Sequence, residues 1–221
     1  FFVDIQKSQM SEFRQMMADT PQVSRYDAAP MLRAVVTQIN GKPALEVAPD
    51  HWVVRGDRGI TYAEKLPDRY AITAGEWWPE NYDGPPQISF AKEEAEEIGL
   101  VLGDTVTVNI LGRDITGTIT SFRDVDFSTA GIGFVMTMNP AALQGAPHTF
   151  IATVYADAEY EAQLLRDLAE PFPNITAIRI KDAIDRVSSV LNSIAAAVSY
   201  GAAATLLTGF LVLIGSAISA Q

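Results

Sequence analysis

Phe1–Val23 reads FFVDIQKSQMSEFRQMMADTPQV, and a second stretch, Ile151–Ile175, reads IATVYADAEYEAQLLRDLAEPFPNI. Each opens on an alternating or β-branched run, Val3-Asp4-Ile5 and Thr153-Val154-Tyr155. Such runs favour extended backbone, because branched side chains pack well on a pleated surface. A polar helix start follows in each, with Ser8 and Asp157 as the expected N-caps. The helices then place Met10, Phe13 and Met17, or Tyr160, Leu164 and Leu168, on one face. Each unit ends in an acidic residue and a proline before another strand, Asp19 and Pro21 in one and Glu170 and Pro171 in the other. Two β-α-β units near opposite ends of the chain imply one discontinuous domain, over residues 1–68 and 150–193, whose halves come together.

Between them the chain is mostly β. Met31–Ile39 and Ala44–Val47 flank Asn40-Gly41, the dipeptide that suits a two-residue hairpin, so both segments are expected as strands. A helix is expected over Lys92–Ile98, stopping at Gly99. Strands are expected at Thr105–Ile110, Ile115–Phe122, Gly133–Met138 and Thr149–Tyr155, with turns at Gly112-Arg113 and Asn139-Pro140. The reading is an α+β fold with a small β-meander domain, residues 69–149, inserted between the two halves.

The carboxy-terminal tract has a different character. Arg186 is the last charged residue, and Ile194–Ile218 reads IAAAVSYGAAATLLTGFLVLIGSAI, 25 residues. A helix rises about 1.5 Å per residue, so about 20 apolar residues span the hydrocarbon of a bilayer. The start of a transmembrane helix is therefore expected at 194–221. Ala197, Gly201, Thr205 and Gly209 recur every fourth residue, which lets another membrane helix approach closely, so Gly201 and Gly209 are the candidate packing positions. Upstream, Ile180, Ile184, Val187, Leu191, Ile194 and Val198 follow a heptad-like spacing that runs straight into this tract. Ile180, Ile184, Val187, Leu191 and Ile194 are the candidate residues of a stalk that carries displacement from membrane to head.

Composition narrows the partners. The chain has 221 residues, a formal net charge of -11 and no cysteine. The acidic balance argues against nucleic acid and against adsorption on anionic lipid. Without cysteine there is no disulfide framework and no thiolate metal site. With two histidines, no Gly-x-Ser-x-Gly elbow, no His-Glu-x-x-His and no phosphate-binding loop, no catalytic, cofactor or metal residues are assigned. Ser89, His148 and Asp50 can be named as a nucleophile, base and acid, but no spacing selects them. Glu93, Glu94, Glu96 and Glu97 read as a solvated helix face. Asp124 and Asp126, expected to alternate on a strand, face one side, where a hard cation is the alternative. Arg55-Gly56-Asp57 reads as a tight polar turn. Trp77, Trp78 and Tyr82, in a loop rich in Pro and Gly, are loop anchors or a contact surface for a lipid or protein partner. The chain opens on Phe1 rather than Met and is expected to be a segment of a longer protein.

These features together resemble a known family. Ile98–Leu143 reads IGLVLGDTVTVNILGRDITGTITSFRDVDFSTAGIGFVMTMNPAAL. Its Gly99-Leu100, Leu102-Gly103-Asp104, Gly117, Arg123-Asp124-Val125-Asp126 and Phe134 are similar to the inserted ("Sabre") subdomain of FtsX/MacB-like ABC-transporter permeases. WVVRGDRGITY from Trp52 and AGEWWPENYDGPP from Ala74 resemble the YbbP-type permeases, often described as predicted permeases of lysophospholipase biosynthesis. The sequence departs from the class at Phe127, where Trp is expected, and at Gly131–Gly133. The resemblance implies a split porter-like periplasmic core domain with an inserted β-rich subdomain. It implies a non-enzymatic permease subunit of the inner membrane, this segment lying mainly outside the cytoplasm. Its partners would be a cytoplasmic ABC ATPase subunit, a second permease copy or homologue, and a periplasmic protein. Cytoplasmic ATP hydrolysis would be coupled through stalk helices to work on a hydrophobic, lipid or protein substrate. The rivals are a membrane-anchored periplasmic binding or sensor module without an ATPase, and a membrane-tethered hydrolase.

Overall fold

The computed structural model describes residues 1–127 and 131–178, together with Val190, Ile194, Ala195, Val198, Ser199 and Gly201. The chain divides into two compact units, Phe1–Ile178 and Arg179–Gln221. In the second, the six described residues are helical and exposed. Ile180, Ile184, Val187, Leu191 and Gly209 lie outside the described residues. Among the described residues no helix is long and apolar enough to cross a membrane, and most of the expected span, 194–221, lies outside them.

The first unit is a mixed α/β structure with two sheet-based cores. One sheet runs in the order β11–β1–β10–β2, with strands β1 Phe2–Ile5, β2 Val23–Ile39, β10 Thr149–Ala156 and β11 Thr176–Ala177. All of its pairings are antiparallel. Helix α1, Met10–Asp19, joins β1 to β2, and α5, Glu161–Ala169, leads from β10 towards β11. The apolar spacing of each helix buries Met10, Phe13 and Met17, and Leu164 and Leu168, in a common core with Phe2, Ile5, Ala152 and Phe172. The Phe13 ring sits edge-on to Phe2 at 5.8 Å and to Phe172 at 6.1 Å. Neither Ser8 nor Asp157 caps its helix. The helices start later, after Gln9 and Tyr160, without a side-chain cap. A backbone turn precedes each, with Gln9 N–H donating to the Gln6 carbonyl and Tyr160 N–H to that of Asp157.

The second core is a closed ring of strands. Its other members are β4 Asp57–Tyr62, β6 Gln87–Ala91, β7 Thr105–Ile110, β8 Arg113–Arg123 and β9 Met136–Met138. The distal half of β2 pairs with β4 on one edge and β7 on the other, since Val35 lies opposite both Asp57 and Asn109. From β4 the pairing passes to β9, β6, β8 and back to β7. Six strands thus close on themselves around Val36, Ile60, Ile88, Phe90, Val106, Val108, Ile119, Met136 and Met138. Closure leaves fewer unpaired edges exposed. This corrects the expected β-meander: β4 with β9, and β6 with β8, are parallel pairs, which a meander cannot contain. The short edge strand β5, Ile72–Gly75, is added to β8.

Three local expectations change for identifiable reasons. Asn40 and Gly41 do make the tight turn, with φ of 51° and 74°. The partner strand is only β3, Lys42–Pro43, however, and Ala44–Val47 is the short helix α2, begun directly after Pro43. The strand expected from Gly133 forms only at β9, because carbonyls just upstream are taken by side chains: Tyr70 Oη–H donates to Ile132 O at 2.9 Å and the Arg123 guanidinium to Phe134 O. Asn139 does not turn the chain. It precedes helix α4, Pro140–Leu143, with proline in the first turn. Helix α3, Lys92–Ile98, ends at left-handed Gly99, as expected.

Candidate functional site

Where the open sheet meets the ring, the first unit carries an apolar groove of about 400 Å³. Phe1, Val3 and Ile151 line it from the sheet, and Met31 from the point where β2 passes between the two cores. Ile132, Phe134 and Val135 close it from the segment leading into β9. Ile132 and Phe134 are buried against Ala29, with Phe1, Met31 and Ile151 packed on them. Gly59 forms part of the floor; a Cβ there would come within 3.5 Å of the Phe134 ring.

The rim is aromatic and cationic. Trp52 and Phe127 are each 42% exposed, and their rings meet edge-on at 5.7 Å. The Arg58 guanidinium lies over the Trp52 ring, 5.1 Å from its centroid. Its Nε donates to the Trp52 carbonyl at 2.7 Å and Nη1 to the Asp57 carbonyl at 3.1 Å, and Nη2 donates to the carbonyls of Trp52 and Arg55. No carboxylate pairs with it among the described residues. The neighbouring Asp57 carboxylate accepts instead from Arg33 Nη1 at 2.8 Å, a bond that holds it below its usual range.

Behind the wall sits Arg123, fully buried. Its guanidinium donates to the carbonyls of Ser89 and Phe134 and lies 5.1 Å from the Tyr70 ring centroid. Burial pushes it down to about 10. With Tyr70, it fixes the segment that supplies Ile132 and Phe134 to the groove.

The residues singled out in the sequence are distributed elsewhere. Trp78 is 4% exposed, and its indole N–H donates to Ala63 O at 2.9 Å. Trp77, half-buried, lies against it with ring centroids 3.9 Å apart and planes tilted by 32°, and donates to Glu64 O. Tyr82 Oη accepts from Gln87 Nε2 at 3.1 Å. The two indole bonds tie the loop between β5 and β6 to the chain after β4, and the Tyr82 bond ties it to the start of β6. Arg55-Gly56-Asp57 is a turn in which Arg55 pairs with Asp50 at 2.9 Å and Asp57 with Arg33. His148 contacts Tyr62 Oη at 3.1 Å and the Ala146 carbonyl, while Ser89 is buried in β6. No bond joins Ser89, His148 and Asp50 among the described residues. Asp124 and Asp126 follow the end of β8 rather than alternating along it. They line a polar hollow of about 460 Å³ with Glu93 and Glu94, and among the described residues no group of three or more carboxylate or imidazole side chains is placed to hold a metal ion.

The groove was not legible as a site, because its walls come from separate segments of the chain. The one local signal was Trp52 heading a glycine-bounded turn that contains Arg58.

No family model matches the chain. Its likeness is to an ABC transporter permease. The chain is 27% identical over 180 residues to an uncharacterized ABC transporter permease, YbbP, of Escherichia coli (strain K12). The alignment takes in 81% of this chain and 21% of that protein, so the chain spans about a fifth of the length of the curated relative it matches.

Proposed function

We propose that this chain is the extracytoplasmic domain of an ABC-transporter permease subunit. It is non-catalytic, and it couples ATP hydrolysis by a cytoplasmic ATPase subunit to work on a hydrophobic, lipid or protein substrate outside the membrane. The observation that carries this reading is the likeness to an ABC permease over 180 residues. The uncharged tract after Arg186 supports it, since such a tract fits the start of a membrane helix. In this reading the porter-like part of an FtsX/MacB-like core, expected over residues 1–68 and 150–193, is centred on the open sheet, and the insert, expected over 69–149, is the closed ring, which also draws in β4 and the distal half of β2. Ile180, Ile184, Val187, Leu191 and Ile194 form the stalk seam, and Gly201 and Gly209 pack against another membrane helix. A second permease copy or homologue completes the assembly in the inner membrane, and Trp77, Trp78 and Tyr82 hold the loop that a periplasmic partner would meet.

The test uses the full-length permease in its native membrane. Affinity purification should bring an ATPase subunit with it. Val187→Asp with Leu191→Asp should leave that complex assembled while uncoupling its ATPase activity from any response to the extracytoplasmic domain. Purification without an ATPase would favour the anchored binding or sensor module. Coupling unchanged by both aspartates would remove the stalk role.

A further inference from the structure

The groove described above ends at the Arg58 guanidinium, which forms no direct ion pair among the described residues, the adjacent Asp57 carboxylate being bonded to Arg33 while feeling the Arg58 charge from further off. A guanidinium has five N–H donors. Arg58 directs four bonds to main-chain carbonyls, which leaves one Nη1 donor of a charged group free at the mouth. Its aliphatic stem and the Trp52 ring give that charge an apolar setting, in which an ion pair is stronger than in water. Beyond it the lining is hydrocarbon: Met31, Ile132, Phe134 and Ile151.

We infer that the groove binds a monomeric single-chain amphiphile with an anionic head. The acyl chain would lie along Met31, Ile132, Phe134 and Ile151, and the head would accept from Arg58 beside Trp52. Three observations select this occupant. The lining would strand the polar groups of a hydrophilic ligand without partners. The Arg58 guanidinium complements an anion and disfavours a cationic head. A volume of about 400 Å³ lies near the lower end of the range for small-molecule sites, about 300–1,000 Å³, which suits one chain rather than a two-tailed lipid. The inference rests on the permease reading only in making this ligand the substrate class; the binding is measured without an ATPase.

The experiment places the whole 221-residue chain in phosphatidylcholine nanodiscs, with empty discs as the blank. Dodecanoate, dodecyl maltoside and dodecyltrimethylammonium, each below its micelle concentration, compete for a dansyl-labelled undecanoate. Dodecanoate should bind most tightly. Arg58→Gln should weaken it about tenfold, the size of one charge-assisted hydrogen bond, with little change for the maltoside. Arg58→Lys, which keeps the charge but loses the forked carbonyl bonds, should retain the preference for the anion. Phe127→Asp, at the exposed rim, should weaken dodecanoate more than the maltoside. Equal affinity for the three heads would overturn the inference, as would an Arg58→Gln loss shared equally by all of them. If Arg58→Gln spared dodecanoate and weakened only adsorption to phosphatidylglycerol discs, the surface would be reading a bilayer and the inference would fall. Dodecanoate binding by a protein that recruits no ATPase would sink the permease reading and leave this one standing; a recruited ATPase without such binding would do the reverse.

Discussion

Replacing Gly75 by alanine should cost far more than the same change at Gly41, although both glycines have φ near +74°. At Gly41 an added Cβ meets nothing within 4 Å, so the variant carries only the left-handed backbone penalty, about 1 kcal/mol. At Gly75 the Cβ would lie 2.1 Å from the Thr120 carbonyl oxygen, about 1 Å inside an ordinary C···O contact. That oxygen is main-chain and accepts from Glu76 N–H at 3.1 Å, so no rotamer change relieves the overlap. The strand must instead lift from β8, giving up the pairing of Ile72 with Arg123, Ala74 with Phe122 and Gly75 with Ser121. At about 1 kcal/mol for each net hydrogen bond lost, the peeling caps the penalty, so Gly75→Ala should destabilise by about 2–4 kcal/mol. Urea unfolding followed by circular dichroism measures the difference. Tryptophan fluorescence should shift before the main transition, because Trp77 and Trp78 directly follow the displaced strand. A Gly75→Ala midpoint matching that of Gly41→Ala would refute the reasoning.

Phe13→Ala should cost about 3–5 kcal/mol and strip hydrogen-exchange protection from β1, β10, α1 and α5 while β7 and β8 stay protected, because its ring belongs to the open-sheet core; uniform loss would mean that the two cores unfold together. Arg123→Ala should destabilise by about 3 kcal/mol by urea titration, since two carbonyls left without a donor, plus the void, outweigh the relief of a buried charge. Burial holds the Glu94 carboxyl above its usual range, so its ionised form costs the folded state stability above that range and nothing below the unfolded value, about 4.3. Glu94→Gln should accordingly raise the melting temperature at pH 7, and the gain should close as pH falls below about 4; a gain independent of pH would contradict this.

Much of the fold was readable because it is local. The 3.6-residue spacing of Met10, Phe13 and Met17 and of Leu164 and Leu168, the glycine stop at Gly99 and the Asn40-Gly41 turn each depend on a few neighbouring residues. What escaped depends on distance along the chain. The parallel pairs of β4 with β9 and β6 with β8 join segments dozens of residues apart, and alternation alone is the same whichever neighbour a strand takes. Ala44–Val47 shows the ambiguity of short apolar runs: four residues fit one helical turn as readily as a strand. The groove was hidden for a related reason. Phe1, Met31, Trp52, Ile132 and Ile151 are unremarkable hydrophobes in sequence, and only the crossing of two sheets gathers them.

Strand β2 runs unbroken for 17 residues, its pairing handed from β10 at Met31 to β4 at Leu32. Inside–outside alternation along it therefore serves both cores at once. One inserted residue near Val23 would invert the faces offered to β10, whereas on the ring side the strand already carries such an extra residue: between Val36 and Gln38 its pairing with β7 slips by one, and Val36 and Ile39, three apart, both face the ring core. Up to Val36 the two cores share a single phase, like two gears cut on one shaft.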